Sequence, residues 1–335
     1  MDVLFIGGTG VISTACVALA VEQGHRVSVL NRGRRKSHPE AESILCDVHN
    51  EEAVKEKLAG RSFDAVADFT AFTPDEVARD IRLFSGRCGQ YIFISSTAAY
   101  QKPLSLSTIT ESTPLYNPYW QYGRDKAKGE RLLMEAYYRT GFPFTVVRPA
   151  HTYGKNKIPA DVEGKNGTFQ ILRRIMDGKP VLLHGDGLGW WTMTDSRDFA
   201  AAFLRLLGNP HAIGEAVHIL SDERLTWNQI YDTFGRVLGK PVRKVHAATD
   251  TIIRFDPSQE GPLLGDKSNT AFYDTTKIKR LAPGWTAKIR FDQGIGETIE
   301  NVLAHPELQP LDPDFDALCD RIIGQVLSLG AKEEG

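Results

Sequence analysis

The stretch that decides the fold is DVLFIGGTGVIS, residues 2–13. Residues 2–6 form a short apolar run, a glycine-rich turn follows, and an apolar helical stretch then continues to about Glu22. A strand, a glycine-rich turn and a helix in this order are the setting of the dinucleotide-binding fingerprint. The glycines let the backbone approach a pyrophosphate, which then lies at the N-terminus of the helix. Ser13 replaces the usual third glycine and is small enough for the helix to pack against the strand.

Predicted strands and helices alternate through the first half of the chain. Strands are predicted at residues 26–30, 43–46, 64–68, 91–94 and 144–147, and helices at 51–58, 74–84 and from 121 to about 138. This alternation is typical of an α/β protein with a Rossmann-type, doubly wound parallel sheet.

The pattern loosens from about residue 152, where Pro, Gly, Asn and Lys cluster. We therefore expect a smaller C-terminal substrate lobe. The expected domains are a dinucleotide-binding Rossmann domain over residues 1–153, a mainly substrate-binding lobe over 154–305 that is interleaved with returns to the sheet, and a peripheral C-terminal extension over 306–335.

Composition limits the classes of partner. The 335 residues are 41% hydrophobic and 24% charged, as in ordinary globular enzymes, and the formal net charge of −2 argues against nucleic acid or an anionic membrane as a partner. No apolar stretch approaches 18 residues, which argues against a membrane span. Met1 and Asp2 lead directly into the first predicted strand, so we expect no signal peptide. Four cysteines lie far apart without a CxxC pair, so we expect reduced thiols in a cytoplasmic protein and no metal site.

Two later segments carry side chains suited to proton transfer. Tyr122 and Lys126 are spaced i, i+4 on one face of a predicted helix. An ammonium about 4 Å from a phenol favours the phenolate by roughly 4 kcal/mol, or about three pKa units, which makes a general base of the tyrosine. The segment YIFISSTAAY, residues 91–100, is an apolar strand that ends in hydroxyls, and such a strand end faces the ligand crevice of an open α/β sheet.

With these three segments in order, the chain resembles the extended short-chain dehydrogenase/reductase superfamily, in its NAD-dependent epimerase/dehydratase branch. Further matching segments are RPAHTYG at 148–154, TDSRDFA at 194–200 and DTTK at 274–277. The resemblance covers roughly residues 2–305. It is specific for fold and cofactor class, and much less so for the reaction.

The resemblance implies a catalytic set. Tyr122 would move the proton of a substrate hydroxyl or carbonyl, and Lys126 would lower its pKa and bind the nicotinamide ribose. Ser96 would donate to the same substrate oxygen, with Thr97 as a substitute; the alternative for Ser96 is capping of local backbone. His151 would bind a sugar hydroxyl or serve as a second acid/base, with a packed histidine as the alternative.

The resemblance also implies how a dinucleotide is bound. The residues expected to bind it at the glycine turn are Gly7, Thr9, Gly10, Val11 and Ile12, those expected at the adenine are Asp47 and Val48, and those expected beside the nicotinamide ribose are Phe69, Thr70, Ala71 and Lys126. At the end of the second strand Asn31 stands where NAD-selective members carry an acid, and Arg32 and Arg35 follow. Guanidinium groups pair with a 2′-phosphate, so NADP is favoured over NAD; a solvated basic loop is the alternative.

Substrate identity is less readable. Sugar-nucleotide members usually place Asn where His151 stands and a diphosphate-binding Arg where Trp191 stands, which weakens the case for a nucleoside diphosphate sugar. Trp190 and Trp191 offer substrate-stacking surface, or else core packing. The 4,6-dehydratases place Asp-Glu where Thr97 and Ala98 stand, so elimination by that route is not supported.

The sequence therefore predicts an NAD(P)-dependent enzyme that acts by hydride transfer on a hydroxyl or carbonyl of a sugar, nucleotide sugar or nucleoside, through transient oxidation followed by epimerisation or elimination. The alternatives are an NADPH-dependent carbonyl reductase and an atypical RNA-binding relative. The RNA-binding relatives have generally lost the tyrosine–lysine pair that this chain keeps. A homodimer through a helix pair is the habit of the family.

Overall fold

A parallel sheet of seven strands lies at the centre of the computed structural model, which describes residues 1–333. Its strands are β1 (Asp2–Ile6), β2 (Arg26–Asn31), β3 (Glu42–Leu45), β4 (Ala65–Asp68), β5 (Tyr91–Ile94), Phe144–Arg148 and Ala216–His218. Their order across the sheet is 216–218, 144–148, β5, β4, β1, β2, β3. Because the chain runs outward from β1 in one direction through β2 and in the other through β4, a crevice opens beyond the carboxyl end of β1. The predicted fold class is confirmed.

Helices cover both faces of the sheet. The helices that pack on it are α1 (Val11–Glu22), α2 (Glu51–Lys57), α3 (Pro74–Phe84), α4 (Gln121–Thr140) and Ser196–Phe203. Alternate residues of β1 point to opposite faces. Val3 and Phe5 join the core under α1 and 196–203, whereas Leu4 and Ile6 join the core under α2, α3 and α4. Strands buried on both faces explain the continuous apolar runs of the sequence.

The second half of the chain forms a further core beside the sheet. Its helices are Phe169–Met176, Trp227–Leu238, Thr249–Phe255, Thr276–Leu281, Phe291–Ala304 and Pro313–Glu333, with the short Glu260–Pro262 and a π-helix over Leu263–Lys267. The short strands are Thr108–Ile109, His151–Tyr153, Val181–His184, Trp190–Trp191, Met193–Asp195, Leu225–Thr226, Lys244–Ala247 and Phe272–Tyr273.

The expectation of a peripheral C-terminal extension differs from the structure. In the helix 313–333, Phe315, Leu318 and Ile322 are buried in the core of the second half. Arg174, only 1% exposed at its side chain, bonds to carboxylates of this helix, with Nη1 2.5 Å from Asp316. The prolines and acids at its start concealed the i, i+3, i+7 apolar pattern that docks it. Residues 334–335 of the expected extension lie outside the described residues.

Among residues 1–333, no helix is long and apolar enough to cross a membrane. All four cysteines are free thiols, and Cys16 and Cys319 are buried.

Candidate active site

A cavity of about 1270 Å³ opens at the carboxyl ends of the sheet strands and extends under the second half of the chain. The sheet contributes the turn after β1 and the ends of β2, β3, β4 and β5, while α4 contributes Tyr122 and Lys126. The other wall comes from segments around residues 149–152, 163–166, 255–267 and 312–321. A pocket of this length offers room for a dinucleotide at one end and a second ligand at the other.

The glycine turn has no space for side chains. Gly7 has a φ of +80°. A Cβ on it would lie 2.2 Å from Cγ2 of Thr70, and a Cβ on Gly8 would lie 2.7 Å from Cγ1 of Val29. Thr9 and Gly10 expose backbone to the cavity at the N-terminus of α1. An anion fits here, because unpaired amides and the helix dipole both favour negative charge.

Ser13 fills the third small position. It is buried, and its Oγ accepts a hydrogen bond from the Gly10 amide at 2.9 Å. Val11 and Ile12 line the cavity beside it. The substitution of Gly by Ser is therefore accommodated by local bonding as well as by size.

The end of β2 carries cations and no carboxylate. The Asn31 side chain donates to Ser37 Oγ at 2.7 Å and accepts from the Gly33 amide at 2.7 Å, so it folds the loop that follows. Arg35 donates to the Thr9 carbonyl at 3.3 Å. Arg32 and Arg35 line the cavity, and neither makes an ion pair with a residue of the described part of the chain.

The ends of β3 and β4 complete this half of the cavity. Asp47 and Val48 line it after β3. After β4, the buried Asp68 accepts hydrogen bonds from Thr70 Oγ1 at 2.8 Å and from the Ala71 amide at 3.0 Å, which folds residues 69–71. Phe69 and Thr70 line the cavity; Ala71 is buried behind them and contributes only its carbonyl, which Lys126 contacts.

Lys126 is anchored beneath the cavity. Its Nζ donates to the carbonyls of Ala71 at 2.6 Å and Ile94 at 2.7 Å. Burial lowers its pKa to about 8, against the opposing effect of nearby carboxylates such as Asp68. An ammonium has three protons, so one donor remains for a ligand.

Tyr122 lies at the first turn of α4. Its ring packs 4.8 Å from that of Trp120, centroid to centroid. Burial raises the pKa of its phenol, a hydrogen bond with Ser96 lowers it, and the charge of Asp266 raises it. The expected lowering by Lys126 is not seen, because the Lys126 ammonium lies 5.7 Å from the centroid of the ring and is engaged by carbonyls. The phenol is thus held in its protonated form.

Ser96 makes one of the two contacts expected from the sequence, the capping of local backbone: its Oγ accepts from the Ala98 amide at 3.1 Å, which caps the turn 97–99. Ser96 also lines the cavity near Tyr122, and its hydroxyl lowers the pKa of that phenol. Thr97 lines the same wall and is buried.

His151 lies in the cavity wall but is a neutral group. Burial, with a smaller contribution from the nearby Lys267 ammonium, lowers its pKa to about 3. A neutral imidazole can donate or accept one hydrogen bond, but it supplies no proton as an imidazolium near neutral pH. The expected role as a second acid/base is weakened accordingly.

Neither tryptophan of the expected stacking pair lines the cavity. Trp191 is 3% exposed and stacks on Trp227 with centroids 5.4 Å apart. Trp190 is 39% exposed and lies 6.2 Å from Phe272. Successive residues of a strand point to opposite sides, so one ring enters the core and the other points outward.

The structure adds residues that sequence reasoning missed. Trp120 and Phe72 line the cavity around Tyr122, and Asp266 enters from the π-helix 263–267. The Oδ1 atom of Asp266 is buried without a hydrogen-bond partner in the described residues, and burial raises the pKa of this carboxyl to about 6. Trp120 was detectable as a neighbour of Tyr122, whereas Asp266 reaches the site only through tertiary packing.

A polar network supports the site from below. Arg148 bonds to both Glu130 oxygens, with Nη2 2.5 Å from Oε2, and its Nη1 donates to the Tyr100 hydroxyl at 2.8 Å. Ser95 donates to Glu130, and His218 pairs with the Tyr100 hydroxyl on one side and with the Asp274 carbonyl on the other. These side chains hold the backbone around Ser96 and the start of the strand at 151–153.

Comparison with known proteins identifies a family and several relatives that this chain resembles. The model of the NAD-dependent epimerase/dehydratase family matches residues 3–219. The chain is 27% identical to 2'-dehydrokanamycin reductase of Streptomyces kanamyceticus over 85% of this chain and 80% of that protein. It is 25% identical to the chloroplast stem-loop binding protein of 41 kDa b of Arabidopsis thaliana, over 88% of this chain and 78% of that one.

Solved structures share the fold. A dTDP-glucose 4,6-dehydratase from Bacillus anthracis in complex with NAD superposes with a TM-score of 0.73 at 19% identity, covering 92% of this chain and 98% of that one. At this identity the likeness concerns the fold alone.

Proposed function

This chain belongs to the NAD-dependent epimerase/dehydratase family, and we propose that it transfers hydride between NADP(H) and a hydroxyl or carbonyl carbon of a sugar-type ligand. The observation that carries the proposal is the position of Tyr122 in the cavity wall, which Ser96 also lines, one helical turn before Lys126. A nicotinamide dinucleotide, when bound, supplies or accepts the hydride. Side chains of the protein would transfer the proton to or from the substrate oxygen.

In the proposed reaction Tyr122 gives its proton to the substrate oxygen during reduction, or takes the proton of a hydroxyl during oxidation. Burial keeps the phenol protonated, which prepares it as a donor to a carbonyl. Ser96 donates to the same oxygen from the other side. Lys126 holds the wall through the carbonyls of Ala71 and Ile94, and its third proton would be available to a ribose hydroxyl of the cofactor.

The preference for NADP is supported by the end of β2. Asn31 is committed to its own loop, no acid stands there to bind ribose hydroxyls, and Arg32 and Arg35 border the cavity. Guanidinium groups bind a phosphate through charge-assisted hydrogen bonds, whereas a carboxylate would repel it. Fluorescence titration of NADPH and NADH at the same moderate salt concentration tests the preference. Tighter NADH binding would contradict it.

A ligand less anionic than a nucleotide sugar is supported at the other end of the cavity. The position where sugar-nucleotide members carry a diphosphate-binding arginine holds Trp191, which is packed in the core. Lys267 is engaged by Glu163 and the Asp161 carbonyl, each at 2.9 Å. A glycoside or a nucleoside meets these conditions better than a buried diphosphate does.

Two net reactions follow from this chemistry, and one assay separates them. Net reduction consumes NADPH in proportion to product, and the name of the Streptomyces relative describes that protein as a reductase. A redox-neutral epimerisation or elimination changes the ligand without a net change in the absorbance of reduced nicotinamide. We expect one of these outcomes when a panel of ketoglycosides, glycosides, nucleosides and UDP-sugars is offered with each cofactor.

The absence of both outcomes, together with the absence of NADP(H) binding, would overturn the proposal. Gel-shift assays with stem-loop RNA then test the remaining alternative, which the chloroplast relative's name suggests. The retained Tyr122 and Lys126 and the net charge of −2 lead us to expect no shift.

A further inference from the structure

The segment from Gly261 to Lys267 is seated against the catalytic helix by close backbone contact. A Cβ on Gly261 would lie 2.3 Å from Cδ1 of Trp120, and one on Gly265 would lie 2.8 Å from Cβ of Trp120. Only glycine allows this approach at either position. The π-helical turn at 263–267 is of a kind that is frequent at functional sites.

Asn117 fixes that contact. Its Nδ2 donates to the carbonyl of Gly265 at 2.7 Å and to the carbonyl of Ala98 at 2.7 Å. Its Oδ1 accepts from the amides of Tyr119 at 3.2 Å and Trp120 at 3.1 Å. One fully buried side chain thus connects the turn after Ser96, the start of α4 and the π-helix.

The contacts of Gly261, Gly265 and Asn117 with the start of α4 bring Asp266 into the cavity near Tyr122. The carboxyl lines the cavity, its charge acts on the Tyr122 phenol, and its buried Oδ1 bonds to nothing in the part of the chain that the structure describes. The ammonium of the neighbouring Lys267 donates to the Glu163 carboxylate and to the Asp161 carbonyl. Lys102 is buried. The carboxyl is near two ammonium groups but bonded to neither.

Asp266 is half-buried, but its Oδ1 is buried with no partner among the described residues, and such an atom costs stability unless a ligand or water binds it. We propose that Asp266 is a specificity-determining residue that accepts a hydrogen bond from a hydroxyl or protonated amine of the substrate, next to the carbon whose oxygen Tyr122 serves. This assignment rests on the proposed function. It names the ligand as a neutral or cationic, donor-rich sugar, because a phosphate or carboxylate would be repelled at this position.

The first test needs no substrate. Asp266→Asn keeps the shape of the side chain and removes its charge. At about neutral pH we therefore expect the NADP-loaded variant to melt at the same temperature as the unsubstituted protein or at a higher one. The control is Asp198→Asn, because Asp198 is a buried carboxylate away from the cavity whose Oδ2 accepts hydrogen bonds from the amides of Lys288 at 2.9 Å and Ile289 at 2.7 Å. The control is expected to lower the melting temperature. A loss in Asp266→Asn as large as in the control would show a structural carboxylate and overturn the proposal.

The second test is calorimetric binding to the NADP-loaded protein, with kanamycin as a cationic probe, maltose as a neutral probe and UDP-glucose as an anionic probe. We expect Asp266→Asn to weaken kanamycin or maltose by about tenfold or more, the equivalent of one charge-assisted hydrogen bond, while UDP-glucose binds no worse than before. Equal affinities of the two proteins for all three probes, or binding of UDP-glucose alone, would overturn the proposal.

A turnover assay of Tyr122→Phe with the ligand panel, set beside the binding data for Asp266→Asn, separates the two proposals. If this variant turns over normally, the proposed catalytic role fails while the Asp266 binding result stands by itself. If it is inactive and the effect of Asp266→Asn on probe binding is absent, only the Asp266 assignment fails.

Discussion

Two sets of polar side chains, one below the site and one in the cavity wall, differ in how completely their hydrogen bonds are satisfied. Below the site, Glu130, Arg148, Tyr100 and His218 satisfy one another almost fully. In the cavity wall, Oδ1 of Asp266 has no hydrogen-bond partner within residues 1–333, and the Lys126 ammonium has one proton not used by Ala71 or Ile94. Bonded groups determine the shape, and incompletely bonded groups are available to ligands. The two sets should therefore respond in opposite ways to substitution.

The largest expected effect is on stability, in the lower set. Glu130→Gln leaves the Arg148 guanidinium buried with a neutral partner, and breaking a buried pair typically costs about 3–5 kcal/mol. Urea unfolding measures the change. Glu52→Gln, which removes a pair with Lys55 at the surface, is the control and should be nearly neutral. A nearly neutral Glu130→Gln would contradict the contrast between the two sets.

The next effect is on turnover, in the upper set. Tyr122→Phe removes the proton-carrying oxygen and keeps the ring, so turnover should fall by about 10²-fold or more, which corresponds to about 3 kcal/mol. Cofactor binding and unfolding should change little. The control is Tyr116→Phe, at a tyrosine that is 64% exposed. Unchanged turnover in Tyr122→Phe would remove the catalytic assignment.

A comparable effect should appear as a pH dependence of stability. The carboxyl of Asp266 has a pKa of about 6, raised from 3.8 by burial against the opposing charges of Lys102 and Lys267. The folded state therefore binds a proton that the unfolded state has released between these pH values, so stability falls as pH rises from about 4 to about 6. Two pKa units correspond to at most about 3 kcal/mol.

Asp266→Asn should lack this loss, and the difference between the two unfolding curves at pH values near 4 and 7 isolates the contribution of Asp266 from those of other groups. Parallel curves for the two proteins would show that the carboxyl is solvated or paired in solution, and the contrast with the lower set would then vanish.

The smallest expected effect concerns the cofactor end. Arg32→Ala or Arg35→Ala should weaken NADPH binding by up to about tenfold and leave NADH binding unchanged, because an exposed guanidinium contributes one screened contact to a phosphate. Arg139→Ala, at the far end of α4, is the control. Equal losses for both cofactors would indicate that the loop contacts the shared diphosphate.

The sequence predicted the sheet, because strands buried on both faces are continuous apolar runs and the glycine turn has a fixed context. Ser96, Tyr122 and Lys126, which the sequence singled out as candidates, all line the cavity, and each lies at a strand end or a helix start, where a local pattern is readable. Chemistry was predicted less well. Helical spacing suggested that Lys126 would lower the pKa of Tyr122, but burial dominates that pKa, and burial depends on distant packing.

The same limit explains the other differences. Trp190 and Trp191 are adjacent, and only the pairing of their strand with 225–226 decides which ring is buried. Asp266 was not singled out from the sequence, because it reaches the site through the contact of Gly261 and Gly265 with Trp120, and these residues are far apart in the chain. Contacts between residues far apart in sequence are what a local pattern cannot contain.

The docking of the helix 313–333 affects the order in which the protein can fold during translation. Asp312 accepts a hydrogen bond from the Asn166 amide at 2.8 Å, and Phe315 lines the cavity, so one wall of the ligand end is made by residues synthesised late. The strands from β1 to 216–218 are all translated earlier and can pair during synthesis. We therefore expect a nascent chain to acquire its dinucleotide end first, and to be able to enclose a second ligand only after this helix has emerged.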